Sequence, residues 1–308
     1  MYDGKEIIMQ KNVVIWGYGF LGAKAYVELR KDKNYCIVGF GDNNTNKFKY
    51  KTKGMPIYSI SEMIKLKDRL DYSVIIAAGA WAMIGKQLEA AEIAIEGVYS
   101  EQGLKQYKQM HFSDLDLSKD IFLYAGNICD EIHLSQENLY GLSITKGDER
   151  HILHDITEKY PLPDESIAAY QAEDVLEHIA FEQMVPVINE IYRVLKRGSV
   201  FRICLPDYNS ELLSSLAMRD EYDNIIFDPL GGGDYSGDGV VRGGHVWFPK
   251  YDMVRDLLEK TKFTDIRFLC YHTDDKQLIL NEIDSQNGYV RRVQNGEEVF
   301  SMVIDCYK

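Results

Sequence analysis

Positive charge is scarce in this chain of 308 residues. It holds 35 Lys and Arg against 48 Asp and Glu, which gives a formal net charge of −13 at pH 7. Proteins that follow nucleic-acid phosphates normally present a basic face. The one basic stretch, Lys47–Lys53, is typical of a solvated loop, with a phosphate contact as the alternative. The charge balance favours small-molecule partners over nucleic acid.

Cysteines and long apolar runs are also few. The cysteines are odd in number and widely spaced, and none forms a C-x-x-C pair, so we predict neither a disulfide framework nor a metal site. The longest apolar run, over residues 74–82, is far shorter than the roughly 20 residues that span a bilayer. The first twelve residues lack the apolar core of a signal peptide. We therefore expect a cytoplasmic protein without membrane insertion, and the sequence sets no oligomeric state.

The first block of the chain alternates strands with helices. Short apolar runs predict buried strands at Val13–Trp16, Tyr35–Phe40 and Val74–Ala78. The predicted helices are a first one ending at Leu29, Ser61–Leu66 after a cap at Ser59 or Ser61, and Ile84–Ile93. This alternation predicts an α/β fold with right-handed crossovers. The polar stretch 98–120 shows little periodicity, so we predict a junction there and two domains, 1–110 and 111–308.

A second α/β block follows this junction. Its predicted strands are Ile121–Tyr124, Gly141–Thr145, Ala168–Gln171, Val200–Leu205, Ile266–Tyr271 and Val299–Cys306. Apolar residues from Val185 to Leu195 recur at helical spacing, Pro186 indicates a late start or a kink, and Gly198 is placed as the C-cap. A further helix is predicted at Met253–Lys260. Seven glycines in residues 228–244 predict a loop, either a lid over a ligand or a disordered excursion.

A glycine pattern in the first block points to nucleotide binding. Gly17-x-Gly19-x-x-Gly22 follows the first strand and opens a helix. In such a turn the first glycine permits the bend, the second lets a phosphate approach the backbone, and the third lets helix and strand pack closely. Asp42 lies at the end of the second strand, where an acid accepts hydrogen bonds from a ribose. The alternative is a tightly packed Rossmann-like domain that binds no dinucleotide.

The sequence of this block narrows the possible functions of the first domain. Residues 12–97, with VVIWGYGFLGAKAYVEL, YCIVGFGDNN, GMPIYSISEMI and DYSVIIAAG, resemble small Rossmann-like domains of bacterial glycan-biosynthesis proteins. That resemblance implies sugar-nucleotide binding or assembly. The block has no Tyr-x-x-x-Lys pair for hydride transfer, which makes a free NAD-dependent reaction less expected.

The second block carries a sharper resemblance. Its ordered motifs are HDIT at 154–157, PLPDES at 161–166, EDVLEHI at 173–179, EIYRVLKRG at 190–198, RICLPD at 202–207, GGH at 243–245 and SMVIDC at 301–306. Together, over about 150–308, they resemble class I S-adenosylmethionine (SAM)-dependent methyltransferases, in the branch found in bacterial cell-surface gene clusters. The resemblance implies a doubly wound, Rossmann-like domain with seven strands, so that the whole fold class is α/β with two such domains.

The resemblance also implies where SAM binds, because ligands lie at the carboxyl ends of parallel strands. Asp155 would accept from the adenine amino group, and Glu173 and Asp174 would line the pocket near the sulfonium. The turn after the first strand departs from the G-x-G-x-G pattern of the class and keeps only Gly126. An acid for the ribose is also missing after the second strand, where Asp148 is displaced.

Methyl transfer from a sulfonium chiefly requires alignment, and a hydroxyl acceptor also needs a base. His178, His245 and Asp207 are the candidates for this base. His178 has the alternative role of a helix-terminus residue, and Asp207 that of the start of a turn. His245 follows the glycine-rich loop, which favours a role beside the substrate.

Three functions remain open on the sequence. The first is a SAM-dependent methyltransferase acting on a glycan or sugar-nucleotide intermediate, with a nucleotide or sugar nucleotide in the first domain. The second is a methyltransferase-like binding or assembly module that has lost SAM. The third is an NAD-dependent sugar-nucleotide oxidoreductase that uses the glycine turn and Asp42.

Overall fold

The computed structural model describes residues 10–44, 54–237, 239–294 and 300–308. The chain divides into two compact units, one of Met1–Gln109 with Thr145–Glu149 and one of Met110–Ile144 with Arg150–Lys308. The basic stretch Lys47–Lys53 lies outside the described residues. Among the described residues, no helix is long and apolar enough to cross a bilayer.

The first unit is built on a six-stranded sheet. Its order is β3-β2-β1-β4-β5-β6, and every neighbouring pair is parallel except β5 and β6. The strands are β1 (Lys11–Trp16), β2 (Tyr35–Gly41), β3 (Ile57–Tyr58), β4 (Ser73–Ile76), β5 (Ile95–Ser100) and β6 (Gly103–Lys105). The strand order reverses between β1 and β4, which is where α/β sheets bind ligands. β5 and β6 occupy the first part of the polar stretch in which the junction is predicted.

Three helices cover this sheet on its two faces. They are α1 (Phe20–Leu29), α2 (Ile60–Lys67) and α3 (Trp81–Ala90). Successive side chains of β1 point to opposite faces, so Val13 and Ile15 join one apolar cluster and Val14 and Trp16 join the other. The first unit is therefore doubly wound, as the alternation of strands and helices predicts.

The second unit is built on an eight-stranded mixed sheet of order β17-β16-β18-β11-β10-β7-β8-β9. Its strands are β7 (Phe122–Ala125), β8 (Leu139–Ser143), β9 (His151–Leu153), β10 (Ile167–Glu173), β11 (Leu195–Pro206), β16 (Asp265–His272), β17 (Leu278–Leu280) and β18 (Ser301–Tyr307). The five strands from β11 to β9 are parallel, and β18, β16 and β17 run antiparallel. The α/β class is confirmed, with the short edge strand β17 added to the seven expected.

The predicted helix Met253–Lys260 begins and ends two residues earlier than expected, and it is one of five helices that accompany the second sheet among the described residues. They are α4 (Glu131–Ser135), α5 (Met184–Val194), α6 (Glu211–Leu216), α7 (Tyr251–Leu258) and α8 (Arg291–Gln294). Pro186 lies in the first turn of α5, where its missing N–H is not needed. Leu195 already begins β11, so the prediction of Gly198 as the C-cap was wrong. Gly198 has φ +75° inside β11 instead.

The glycine-rich segment is partly ordered as a small ribbon. Two short strands, β14 (Asp234–Tyr235) and β15 (Val240–Val241), pair within it, after the similar pair β12 (Met218–Arg219) and β13 (Ile225–Phe227). A Cβ on Gly233 would lie 2.5 Å from the backbone nitrogen of Gly244. The glycines therefore allow two backbone segments to touch.

Candidate functional site

The glycine turn of the first unit borders a cleft of about 420 Å³ at the carboxyl ends of β1 and β4. Gly17 has φ +111°, and a Cβ there would lie 2.5 Å from the carbonyl oxygen of Ala77. A Cβ on Gly22 would lie 1.7 Å from the carbonyl oxygen of Gly17. Gly19 has open space around it. Gly17 and Gly22 are therefore required by packing, and Gly19 presents bare backbone to the cleft.

Asp42 stabilises this turn. Its Oδ2 accepts a hydrogen bond from the backbone N–H of Tyr18 at 2.9 Å, and its Oδ1 accepts one from the N–H of Asn44 at 2.8 Å. No side chain caps α1 at Gly19, and the first turn of α1 holds no acidic residue. The N-terminus of α1 thus has the donors and the dipole that favour an anion. A ribose contact by Asp42 stays a prediction.

The turn after β7 in the second unit is built with fewer glycines than the resemblance implies. Gly126 has φ +95°, which accounts for its identity. The ring of His151 accepts the backbone N–H of Ile128 at Nε2, 2.9 Å away, and so holds the turn from the neighbouring strand. A Cβ on Gly141 would lie 2.5 Å from this ring. Gly141 and His151 therefore shape the turn, and sequence motifs did not identify either residue.

Two acidic residues follow at the end of β10, as expected. Glu173 is 5% exposed, and its Oε1 has no hydrogen-bond partner among the described residues. Burial raises the pKa of Glu173 and that of Asp174. Arg292 lies 3.1 Å from Asp174 Oδ2, and Arg291 lies 3.8 Å from the same atom. The sequence analysis missed these two arginines, which come from α8 more than 100 residues away.

Asp155 follows β9 at the position expected for an adenine contact. It is exposed, and its Oδ1 accepts hydrogen bonds from the N–H and the hydroxyl of Thr157 at 2.9 and 2.7 Å. Ser143 ends β8, and Asp148 lies in the segment that groups with the first unit. The adenine and ribose contacts therefore stay predictions.

Asp207 does not fit the role of a base. Its side chain is 0% exposed. Its Oδ2 accepts from the backbone N–H of His272 at 2.6 Å and lies 2.9 Å from that residue's Nδ1, while Oδ1 accepts from the N–H of Asn209. Both carboxylate oxygens of Asp207 are therefore occupied by groups of the protein itself. The structure instead gives Asp207 the turn-forming role that was its alternative.

The other two base candidates lie together, beside a residue that the sequence analysis left out. The ligand atoms of Glu177, His178 and His245 lie within 4.8 Å of one another. The two imidazole rings meet edge to face with centroids 4.9 Å apart. Glu177 and His245 are buried, at 0% and 8% exposure, and His178 is exposed. The sequence signal for Glu177 was its place next to His178 in EDVLEHI.

The backbone and side chains around His245 fix its ring. Tyr208 donates its hydroxyl proton to Asp228, and the same oxygen lies 2.6 Å from His245 Nδ1. A Cβ on Gly231 would lie 2.6 Å from the His245 ring, so the glycine-rich segment packs bare backbone against it. Burial, with a further contribution from His178, lowers the pKa of His245 to about 4. His245 is therefore neutral near pH 7.

Comparisons with known proteins bear on the second unit. Residues 120–203 match the family model described as a methyltransferase domain. No curated protein matches the chain.

Solved structures that resemble parts of the chain have low TM-scores. A SAM-dependent methyltransferase from Archaeoglobus fulgidus is 19% identical, over 61% of this chain and 86% of that one, with a TM-score of 0.37. One from Methanosarcina mazei is 14% identical, over 61% and 92%, with a TM-score of 0.38. The UDP-D-quinovosamine 4-dehydrogenase of Vibrio fischeri is 24% identical, over 29% and 76%, with a TM-score of 0.25.

Residues 120–203 of the second unit therefore match a methyltransferase domain. The match covers the strands from β7 to the middle of β11, and it includes Gly126, Asp155, Glu173, Asp174, Glu177 and His178.

Proposed function

We propose that this protein methylates a hydroxyl group of a glycan or sugar-nucleotide intermediate, with SAM as the methyl donor. The observation that carries the proposal is the position of Glu177, His178 and His245. Glu177 and His178 follow β10 of the matched domain, just after the acidic pair Glu173 and Asp174, and His245 lies beside them. Ligands of parallel α/β sheets bind at this end of the strands.

The residues at this end fit the cofactor. Gly126 bends the chain at positive φ and leaves bare backbone, and Glu173 offers a buried carboxylate oxygen without a hydrogen-bond partner among the described residues. An ammonium group is the natural partner of such an oxygen. SAM supplies an electrophilic methyl group on a sulfonium. Gly126 and Glu173 would hold its amino-acid end, and Asp155 would contact its adenine.

The chain's own task is to align the acceptor with the donor. A bound sugar hydroxyl beside His178 and His245 would donate a hydrogen bond to an imidazole nitrogen. The glycine-rich segment reaches this place through Gly231, so it is positioned to shape the acceptor pocket. Excluding water and fixing the acceptor supplies most of the rate enhancement in a displacement of this kind.

The first unit supports the choice of a nucleotide-linked acceptor. Its cleft places Gly19 and the uncapped N-terminus of α1 at the strand-order reversal, where backbone N–H groups bind phosphate. We infer that this cleft binds the diphosphate of a sugar nucleotide.

Calorimetric titration with S-adenosylhomocysteine tests the cofactor assignment. We expect the wild-type protein to bind it and Gly126→Val to lose binding by at least tenfold, because the branched side chain would occupy the turn. Gly198→Val is the matched control. Gly198 also has positive φ but lies in open space, so each variant carries a comparable backbone strain of roughly 1–3 kcal/mol.

Equal binding by both variants would contradict the assignment of the turn. No binding by the wild-type protein would contradict the methyltransferase proposal. Transfer of a labelled methyl group from SAM to a panel of nucleoside-diphosphate sugars then tests the acceptor class.

One observation favours the second candidate, an assembly module without SAM. Arg292 lies against Asp174 in the structure, and Arg291 is close behind, so the acidic end of the pocket already has cationic partners. If S-adenosylhomocysteine does not bind while a sugar nucleotide does, the assembly-module hypothesis replaces the methyltransferase proposal. Turnover of NADH in the presence of a sugar nucleotide would favour the oxidoreductase.

A further inference from the structure

Glu177 is an exception among the buried acidic side chains of the second unit. It is 0% exposed, and neither of its carboxylate oxygens has a hydrogen-bond partner among the described residues. His245 Nε2 lies 3.5 Å from Oε1. Burying a carboxylate without compensation costs several kcal/mol, so such groups are paired, protonated or bound to a metal.

His245 faces Tyr208 with Nδ1 and Glu177 with Nε2. A proton on Nδ1 therefore does not compensate the charge of Glu177. Tyr208 has one hydroxyl proton, and it is donated to Asp228. The Tyr208 oxygen is thus free to accept from His245 Nδ1, and Nε2 is the ring nitrogen that faces Glu177. Nε2 and a carboxylate oxygen of Glu177 face each other at a distance that suits a cation bound between them.

His178 completes a set of three. One nitrogen of its ring lies within 4.8 Å of the ligand atoms of Glu177 and His245, and its side chain is exposed. Two buried ligands and one exposed ligand leave open coordination positions on the solvent side. Three protein ligands with an open position are typical of catalytic rather than structural metal sites.

The surroundings hold these ligands in place. The N–H of Val246 donates to the carbonyl of Glu177 at 2.9 Å, and Trp247 Nε1 donates to the carbonyl of Leu176 at 3.0 Å. These bonds tie the segment of Glu177 to the segment of His245. The chain from His245 through Tyr208 to Asp228 is the kind of outer support that fixes the tautomer of a metal-binding histidine.

We propose that Glu177, His178 and His245 bind a divalent transition-metal ion such as Zn²⁺, Mn²⁺ or Co²⁺. Two imidazoles and one carboxylate suit these ions better than Mg²⁺ or Ca²⁺, which prefer all-oxygen sites. Binding of the ion is independent of the proposed function. Its use rests on that function: an ion with open positions would coordinate the acceptor hydroxyl and lower its pKa.

Titration of the metal-free full-length protein with ZnCl₂, and with CoCl₂ followed by visible absorption, tests the site. We expect one tight equivalent and a Co²⁺ spectrum with nitrogen and oxygen ligands. Glu177→Gln keeps the shape of the side chain and should weaken this equivalent by at least about tenfold. Glu182→Gln makes the same change at an exposed position five residues on and should leave it unaltered.

His178→Gln is the second variant, because an exposed side chain can be replaced without disturbing the core. It should also weaken the tight equivalent. The proposal is wrong if the wild-type protein has no tight equivalent, or if Glu177→Gln and His178→Gln bind as tightly as Glu182→Gln. The first of these outcomes would mean that Glu177 is held as a neutral carboxylic acid.

Parallel titrations with S-adenosylhomocysteine separate this proposal from the proposed function. Metal binding without cofactor binding would contradict only the function, and cofactor binding without metal binding would contradict only the metal site.

Discussion

Single residues decide the stability of the second unit where charge is buried. Arg202 is 0% exposed and makes two hydrogen bonds to Asp305, each 2.7 Å long. Its remaining nitrogen donates to the carbonyls of Asp284 and Gly288 at 2.6 Å. The ion pair joins β11 to β18, and Arg202 also holds the loop before α8. Loss of the pair would therefore weaken the contact between the strands and the contact with the loop.

We predict that Asp305→Asn lowers the free energy of unfolding by about 3–5 kcal/mol, because it leaves a buried guanidinium without its counter-charge. The measurement is urea denaturation. Asp265→Asn is the control, since Asp265 pairs with Arg267 in the same two-bond manner on the surface and should change stability by at most about 1 kcal/mol. Similar losses in both variants would contradict this prediction.

The glycine turn of the first unit gives a second prediction at this scale. Gly22→Ala should lower the free energy of unfolding by at least about 1–3 kcal/mol, because its Cβ would overlap the carbonyl of Gly17. Gly19→Ala should change it by at most about 0.5 kcal/mol, since Gly19 lies in open space with extended backbone. Thermal melting compares the stability of the two variants. A clear destabilisation by Gly19→Ala would contradict this prediction.

Sequence reasoning found the site residues that lie in one motif and missed those that pair across the chain. Glu173, Asp174 and His178 are in a single run of seven residues, and the strand that precedes them sets their place. The partners of Asp174 come from α8, and the partner of Asp207 is 65 residues away, so no local pattern could reveal them. The loss of Asp207 as a base follows from burial, which a sequence does not display.

At the scale of elements, strong apolar runs were predictable and weak ones were not. The inner parts of β1, β4 and β11 are buried on both faces, and Arg202 alone interrupts their apolar runs Val13–Trp16, Val74–Ile76 and Val200–Pro206. β5 and β6 are only partly buried and contain Glu96, Ser100 and Lys105, so their sequence looks like a linker. The helix α2 was predicted after a cap at Ser59 or Ser61, and the structure selects Ser59, which forms a capping box with Glu62.

At the scale of the whole molecule, the two units have separate sheets and separate apolar clusters. Each can therefore respond to its own ligand. The division into two units was predictable from the two α/β blocks. The grouping of residues 145–149 with the first unit was not, since nothing in that short polar segment marks it.

We predict that hydrogen exchange will separate the two ligands. S-adenosylhomocysteine should slow exchange at the turns that follow β7 and β10, and UDP should slow it at the turn between β1 and α1. The expected slowing is at least severalfold at ligand saturation, because bound ligand opposes local opening. Slowing by UDP at the turn after β7 would contradict the assignment of the sugar nucleotide to the first unit.

The position of β18 between β11 and β16 determines when the second sheet can be completed during synthesis of the chain. Arg202 is made 103 residues before Asp305, and the strand that carries Asp305 lies inside the sheet rather than at its edge. At about 5–20 residues per second, a ribosome needs roughly 5–20 s to cover that distance. During this interval β11 lacks its neighbouring strand β18. A chaperone can therefore bind the exposed β11 in the nascent chain.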